Sequence, residues 1–506
     1  MPAYDRGGLL VRPVRAASLA PSDGIRRGAD AITLRPIVAE WLRLRLAGCA
    51  RWERQTPKGE YVPVDPPAAI ARTLVTCPDL GGWPCLRAVA RHPVLTPEGR
   101  LIGARGYDPE TRLLIDTPWA QMSLPEPLDR GGAEAAVGRL RHLLRYYPWA
   151  SADDEAVALS LLLTALARPV LPAAPMHAAD APAAGTGKSL LVDVAAILAT
   201  GERAAVMDWG ADPTEAGKRL DAMLLAGDPV IALDNVEAPL TGGGLCQTLT
   251  QTTRRIRPLG TSILATTPCT PLIAATGNNL TIPGDMVRRT LVCRLDAGTD
   301  APERRAIPQD LLAEVAARRR EIIVDCLTIM AAYIRAGGPD VGTGSLGSYE
   351  AWSRMVRDAL IWAGCADPAV VIERARADDP TRQALAAVLT EWRRVYGDEG
   401  VTARTAIDTV DDHLRAALEL VALRRGELES RALGYWLRGH RDSRSGALVL
   451  RSEPGRAGVH AWRVERAIRA VDTENPTGTQ SSRRCSDHRN HDNHRNHGAD
   501  RERGGV

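Results

Sequence analysis

The chain of 506 residues contains no phenylalanine, and only three of its 64 basic residues are lysines, namely Lys58, Lys188 and Lys218. The formal net charge is only +3, so any nucleic-acid surface must be a local patch. The nine cysteines include no C-x-x-C pair, which argues against a zinc site or a disulfide framework and predicts reduced thiols in a cytoplasm. No apolar run reaches membrane-span length and the N-terminus lacks a signal-peptide core, so we expect no membrane partner.

One glycine-rich segment has the form of the second half of a phosphate-binding loop, and its residues are Ala184, Gly185, Thr186, Gly187, Lys188 and Ser189. Glycines let backbone N–H groups turn towards phosphate oxygens, while the Lys188 ammonium can reach the β- and γ-phosphates and the Ser189 hydroxyl can ligate Mg²⁺. Pro182 replaces the first glycine of the full pattern, so a chance match in a loop is the alternative. A lysine at this point, in a chain that otherwise uses arginine, favours a nucleotide site.

Strands and helices alternate around this loop. A short strand over 175–180 precedes it, and an apolar helix follows it from Leu190. Further along, the pattern predicts a strand ending at Val206, a helix over 214–225 capped near Asp212, and buried strands over 230–233 and 272–275. This alternation predicts an α/β core with a parallel sheet covered by helices.

The flanking sequence differs in composition and period from this core. Its last block, with two or three helices followed by a hairpin, has the outline of a winged helix, and the spaced histidines beyond it are better explained by a polar tail than by a metal site. Within the N-terminal part we expect a helix over 32–46 and two short strands around the turn at 97–99, and a helical pattern over 133–167 comes next. The predicted units are a disordered arm over 1–30, a small mixed domain over 31–120, a helical linker over 121–170, the α/β core over 171–300, a helical domain over 301–398, a winged-helix-like domain over 399–468 and a disordered tail over 469–506.

Carboxylate and amide side chains follow two predicted core strands. Asp234 ends the 230–233 strand, where a carboxylate can hold Mg²⁺ opposite Ser189, although a capping role is the alternative. Many ATPases place a glutamate next, but Asn235 stands there, and Glu237 is the nearest residue that could polarise water. Asn278 and Asn279 can hydrogen-bond a γ-phosphate without adding negative charge.

A pair of arginines, Arg288 and Arg289, follows the last of these strands. Guanidinium groups are suited to stabilise charge on a transferring phosphoryl group, either in cis or from a neighbouring subunit. An arginine pair alone is usually a solvated surface feature. The order of the four motifs between residues 184 and 289 favours the catalytic interpretation.

That order resembles superfamily 3 helicases, the compact AAA+ branch of viral and phage replication proteins, and is most similar to the helicase part of phage and prophage primase–helicases. Stretches over 106–116 and 352–368 also look like such proteins. The resemblance implies an AAA+ P-loop ATPase core and places Arg257 in a basic hairpin that faces DNA. It assigns Lys188 and Ser189 to Walker A, Asp234 to Walker B, Asn279 with neighbouring Asn278 to the sensor amide, and Arg288 or Arg289 to the arginine finger.

The resemblance further implies ATP and Mg²⁺ as ligands, DNA as partner, a hexameric ring and a bacterial host cytoplasm, with any primase on a separate chain. The predicted function is an ATP-dependent DNA helicase or translocase of phage or mobile-element replication. Asn235 keeps open an alternative, an ATP-switched DNA-binding or loader-like protein that does not unwind DNA. A decayed remnant without activity is opposed by the intact GTGKS and ATGNN motifs.

The C-terminal block offers a second candidate DNA contact. If it is a winged helix, Arg431 and Arg438 lie on the exposed side of a helix, and Arg451 and Arg456 lie near the tip of the wing. Leu433, Trp436 and Leu437 would then point inward. The alternative is a small packing domain with an arginine-rich surface.

Overall fold

The structure is a computed structural model that describes residues 2–15, 25–210, 212–258, 264–299, 301–305, 310–454 and 460–466. Small sheets and two helices form the N-terminal part. Strands β1, β2 and β4 make one antiparallel sheet. Strands β10, β11 and β7 make a mixed sheet, in which β11 is antiparallel to β10 and parallel to β7. The elements are β1 Tyr4–Asp5, β2 Leu10–Arg15, β3 Ile25–Arg26, β4 Ile32–Pro36, α1 Ala39–Cys49, β5 Glu53–Gln55, β6 Tyr61–Pro63, α2 Ala68–Thr76, β7 Ala88–Ala90, β8 Val94–Leu95, β9 Leu101–Ile102, β10 Gly106–Asp108 and β11 Leu113–Ile115.

The prediction of a disordered arm over residues 1–30 is wrong for the described part of that segment. Tyr4 and Leu10 are buried, and the Arg6 guanidinium donates hydrogen bonds to the carbonyls of Leu224 and Leu225 at 2.7 and 3.1 Å. Strand β3 pairs with a core strand far along the chain. These partners are remote in sequence, so no local period could indicate them.

Two helix predictions also need correction. The segment over 32–46 begins as strand β4 and becomes helical only at Ala39, since β4 pairs with β2. The 133–167 pattern forms two helices, α3 Arg130–Leu143 and α4 Ala152–Ala167, separated at Pro148. The Ser151 side chain caps α4 by accepting from the Asp154 N–H. Almost every residue of α4 is buried, so this part of the expected linker is a core helix.

The core is a six-stranded sheet in the order β18-β12-β17-β14-β13-β3, in which every neighbouring pair is parallel except β13 with β3. This confirms the predicted α/β architecture with a parallel sheet. An antiparallel hairpin of β15 and β16 is inserted between β14 and β17. The elements are β12 Met176–Ala181, α5 Lys188–Thr200, β13 Ala205–Asp208, α6 Pro213–Ala226, β14 Val230–Asp234, α7 Gly243–Thr250, β15 Thr253–Ile256, β16 Ala265–Pro268, β17 Leu272–Asn278 and β18 Thr290–Arg294.

Alternate residues of the sheet strands face two separate apolar clusters. On one face, Ala232 and Ala274 join the largest cluster with α3, α4, α5 and the later helix Arg319–Arg335. On the other face, Leu233 and Ala275 pack with α6 and α7. The sheet is therefore covered on both faces, which leaves its carboxyl edge as the place where polar groups from several strands can meet.

Helices follow the sheet, and a mixed block closes the described chain. That block contains the predicted helices and hairpin, with Leu433 and Leu437 fully buried, and adds a small hairpin of β19 and β20. The tail predicted over 469–506 lies outside the described residues. The elements are α8 Leu311–Ala317, α9 Arg319–Arg335, α10 Glu350–Trp352, α11 Asp358–Trp362, α12 Val371–Ala377, α13 Pro380–Tyr396, α14 Ala403–Asp408, α15 Asp412–Ala422, β19 Leu423–Arg424, β20 Glu427–Leu428, α16 Ser430–Gly439, β21 Arg444–Ser445, β22 Leu448–Pro454 and β23 His460–Arg466.

Within the described residues, no helix combines the length and the apolar character that crossing a bilayer requires.

Two buried histidines make the stability of the fold depend on pH. Burial lowers the pKa of His92 to about 4 and that of His177, which lies in β12 against Ser160, to about 3. Both stay neutral in the folded chain, whereas the unfolded chain binds protons below its ordinary histidine pKa of about 6.5. Their contribution is therefore fully present above that pH and is lost as the pH falls.

We expect the free energy of unfolding to fall by about 2 kcal/mol for each of these two histidines between pH 7 and pH 5. His177→Gln should remove one such increment from the pH dependence, measured by urea denaturation at both pH values. His142→Gln is the control, because His142 is exposed on α3. An unchanged pH dependence in the His177 variant would contradict the burial argument.

Candidate functional site

The phosphate loop connects the buried strand β12 to helix α5. Gly185 and Gly187 have φ angles of +78° and +99°, a region that favours glycine. A Cβ atom at Gly185 would lie 3.0 Å from the Cβ of Glu303, so a side chain there would need Glu303 to shift as well as a strained backbone. Thr186 is buried beneath the turn. The loop therefore has the tight backbone that the sequence motif predicts, with Pro182 exposed at its start.

Lys188 begins α5, and its ammonium group lies over the loop. Its Nζ donates to the carbonyl of Ala183 at 2.9 Å, to the Thr186 hydroxyl at 3.2 Å and to Asn278 Oδ1 at 2.8 Å. Burial lowers the pKa of Lys188, and the nearby Asp180 and Asp234 carboxylates oppose that shift. The ammonium thus joins the loop to the end of β17.

Asp234 ends β14 next to the first turn of α5. Its Oδ1 accepts a hydrogen bond from the Ser189 hydroxyl at 2.8 Å and another from the Thr276 hydroxyl at 2.6 Å. Thr276 Oγ1 in turn accepts from the Asn235 N–H at 3.2 Å. Thr276, which lies in β17, therefore fixes the orientation of the Asp234 carboxylate.

The Ser189 and Asp234 oxygens fit Mg²⁺, which prefers hard oxygen ligands and usually takes only one or two from a protein. Among the described residues no group of three or more His, Cys, Asp and Glu side chains could hold a metal ion. An ion at this site would therefore depend on phosphate oxygens and water for its remaining ligands. That is the arrangement expected of a metal that arrives with a nucleotide.

The two amides that end β17 differ in position. Asn278, the last residue of the strand, accepts the hydrogen bond from Lys188, whereas the Asn279 N–H donates to the Ala181 carbonyl at 3.3 Å. Asn279 has a φ of +52° and turns the chain away from the strand. The structure therefore brings Asn278 to the loop lysine and gives Asn279 a turn position.

Glu237 is exposed beyond the end of β14. Its Oε1 accepts from Asn235 Nδ2 at 3.4 Å, and Asn235 has a φ of +48°. Glu237, Asn235 and Asp234 line one cavity of about 500 Å³. A water-polarising role for Glu237 stays a prediction.

Arg288 and Arg289 share one carboxylate. Arg288 Nε lies 2.5 Å from Asp285 Oδ1, and Arg289 Nη2 lies 2.5 Å from Asp285 Oδ2. The Arg289 side chain is almost buried, whereas Arg288 is 42% exposed. Of the pair, Arg288 is the one with access to a neighbouring molecule.

A cation that the sequence did not indicate faces Asp234. Arg26 in β3 places its Nη2 4.0 Å from Asp234 Oδ2, with a side chain 69% exposed. A strand of two residues has no period, so no sequence signal could have found it. Thr276 could have been found from the sequence. It precedes Asn278 by two residues in one strand, so the two side chains lie on the same face of the sheet.

The predicted DNA-contacting arginines fall into separate environments. Arg257 directly follows β15, at the start of the connection to β16. Arg431 and Arg438 are exposed on α16. Arg451 pairs with Asp442 at 2.5 Å and with Glu465 at 3.4 Å. Arg456 lies outside the described residues.

No family model matches the chain, and no curated protein matches it. Among solved structures, the C-terminal region of NrS-1 in its apo A form is 11% identical, with a TM-score of 0.32, over 87% of this chain and 96% of that one. A structure described as SCCmec type IV Cch, an active helicase, is 11% identical, with a TM-score of 0.36, over 90% of this chain and 93% of that one. TM-scores and identities this low assign no function to the chain.

The Thr276 hydroxyl offers a test of the carboxylate geometry. Thr276→Val removes the hydrogen bond to Asp234, so we expect the Mg²⁺ concentration for half-maximal nucleotide binding to rise about tenfold. A fluorescent ATP analogue titrated with Mg²⁺ measures this shift. Thr267→Val is the matched control, because Thr267 is buried in β16 and its hydroxyl has no hydrogen-bond partner within the described part of the chain. Equal shifts in both variants would contradict the assignment.

Proposed function

We propose that this protein is an ATP-dependent DNA-translocating motor, a helicase that works as a ring. The observation that carries the proposal is the meeting of Lys188 and Ser189 from one loop with Asp234 and Asn278 from two adjacent strand ends. A cation, a hydroxyl, a carboxylate and an amide in this arrangement match what hydrolysis of a nucleoside triphosphate requires.

Each residue then has a chemical task. Lys188 would bind the β- and γ-phosphates, and Ser189 with Asp234 would hold Mg²⁺, which when bound neutralises charge on the phosphates. Asn278 would orient the terminal phosphate or the water beside it, and Glu237 would accept a proton from that water. Arg288 would serve the site of a neighbouring subunit, which is why the proposal includes a ring.

Two surfaces support DNA as the partner. The first is the β15–β16 hairpin with Arg257, which lies in the chain between the strands that carry Asp234 and Asn278. A hairpin inserted there can move when a nucleotide binds to the site, is hydrolysed or leaves. DNA bound to it would be displaced by each cycle of hydrolysis.

The second surface is the exposed side of α16. Arg431 and Arg438 form no ion pair within the described residues, and Arg438 lies 4.7 Å from the ring centre of Tyr435, which is 59% exposed. Unpaired guanidinium groups beside an exposed aromatic ring suit phosphates and bases. By contrast, Arg451 on the hairpin is neutralised by carboxylates, as is its neighbour Arg463. The helix is therefore the better candidate than the wing.

A loader-like protein that binds ATP and DNA without unwinding is the second candidate. The absence of a glutamate directly after Asp234 favours it, because Asn235 cannot accept a proton from water. Displacement of a strand from forked DNA distinguishes the two functions, since only a motor unwinds.

Lys188→Ala should abolish both ATP turnover and strand displacement while leaving the circular dichroism spectrum unchanged, because the ammonium is the loop's contact to the phosphates. Lys218→Ala is the control, since Lys218 lies on α6 and pairs with Glu215. Phosphate release and displacement of a labelled strand measure the two activities. Turnover equal to that of the parent chain would overturn the proposal, and turnover without displacement would favour the loader.

Replacing Arg431 and Arg438 together by Gln should weaken DNA binding and reduce its salt slope by up to about 0.9 log–log units per lost phosphate contact. Fluorescence anisotropy with labelled DNA at several salt concentrations measures both. The matched control replaces Arg451 and Arg463 by Gln, which removes the same charge from paired positions. Equal losses in the two double variants would show that general charge, rather than the α16 surface, determines binding.

A further inference from the structure

A cavity of about 470 Å³ lies at the carboxyl edge of the sheet, beside the phosphate loop. Ser189 and Asp234 line it, and so do Arg26 and Arg203. The two arginines have nearly equal exposure, 69% and 70%, but face different carboxylates. Arg26 faces Asp234, the proposed metal ligand, whereas Arg203 faces Asp193 at 3.9 Å.

Strand pairing determines where Arg26 points. Arg26 is opposite Val206, which is opposite Ala232, and residues opposite one another share a face of the sheet. Asp234 follows Ala232 by two residues and is therefore on that same face. Arg26 thus extends along the face covered by α5, towards the strand end that carries the carboxylate.

The neighbouring residue holds β3 in place. Arg27 donates to both oxygens of the buried Asp228, at 2.8 and 2.6 Å. Asp228 lies just before β14, so this bidentate ion pair fixes the backbone from which Arg26 extends. Among the described residues the Arg26 guanidinium makes only the long 4.0 Å contact to Asp234, so its donors are available to another anion.

The charge around Asp234 indicates what that anion is. Lys188 donates to the loop and to Asn278, whereas Arg288 and Arg289 do not line the cavity and are paired with Asp285. A triphosphate held by Lys188 and Ser189 would bring its terminal phosphate towards Asp234, adding negative charge beside a carboxylate. Of the described arginines that line this cavity, Arg26 is the one paired with Asp234, since Arg27 pairs with Asp228 and Arg203 with Asp193.

We infer that Arg26 is a further nucleotide-binding residue, which contacts the terminal phosphate in cis from the N-terminal strand. The inference rests on the proposed function. The Arg26 contact is made to the terminal phosphate of a triphosphate and is absent when a diphosphate is bound. Arg26 therefore makes the site discriminate between the nucleotide before and after hydrolysis.

The test measures the Kd of a non-hydrolysable ATP analogue and of ADP, each with Mg²⁺, by displacement of a fluorescent nucleotide. Arg26→Ala should raise the Kd of the triphosphate by about tenfold or more and that of ADP by less than about threefold. For Arg26→Lys, the Kd of the triphosphate should lie between those of the parent chain and Arg26→Ala, because an ammonium keeps the charge but loses the bidentate guanidinium geometry. Arg203→Ala is the matched control and should change both values little.

Three results would overturn the inference. Equal losses for both nucleotides would indicate a structural effect, and equal losses in the Arg26 and Arg203 variants would indicate general charge. Tighter binding of both nucleotides would show that Arg26 serves only as a counter-ion of Asp234 that competes with Mg²⁺. If the parent chain binds neither nucleotide, the proposed function falls together with this inference, whereas binding without discrimination removes the inference alone.

Discussion

The pairing of β17 between β12 and β14 is the constraint on which the candidate site depends. Parallel strands end at the same edge, so the loop after β12 meets the last residues of its neighbours. Lys188 and Asn278 are 90 residues apart in sequence and 2.8 Å apart in space. Ser189 and Asp234 are 45 residues apart and equally close. The backbone ladder, rather than any one side chain, brings these groups together.

Arginine in place of lysine has a structural use in the interior. Three buried guanidinium groups donate to backbone carbonyls at or near helix ends: Arg6 at the end of α6, Arg319 near the end of α5, and Arg168 beyond α4. Burial lowers the pKa of each to about 10, which keeps all three charged at neutral pH. A planar guanidinium group can donate to two or three carbonyls at once, which an ammonium does less well. The three lysines are then exceptions, and one of them lies on the phosphate loop.

The parts of the site that come from continuous segments could be predicted from sequence. The glycines of the loop, the strand that ends at Asp234 and the amides after β17 each follow from local spacing. The choice between Asn278 and Asn279 could not, because it depends on where β17 stops. Arg26 could not either, since its strand has two residues and its partner β13 lies about 180 residues away along the chain. In the N-terminal segment, the mixed composition gives no sign of strands whose partners are remote in sequence.

Strand β3 also covers β13, which would otherwise be an exposed edge strand of the sheet. Its pairing with β13 occupies backbone N–H and C=O groups that no other strand reaches in the described residues. A chain that lacks residues 1–30 would lose β3 and expose β13 as a template for pairing with other chains. Self-association of such a shortened protein would then be a property of the uncovered strand, and its loss of solubility would say nothing about the nucleotide site.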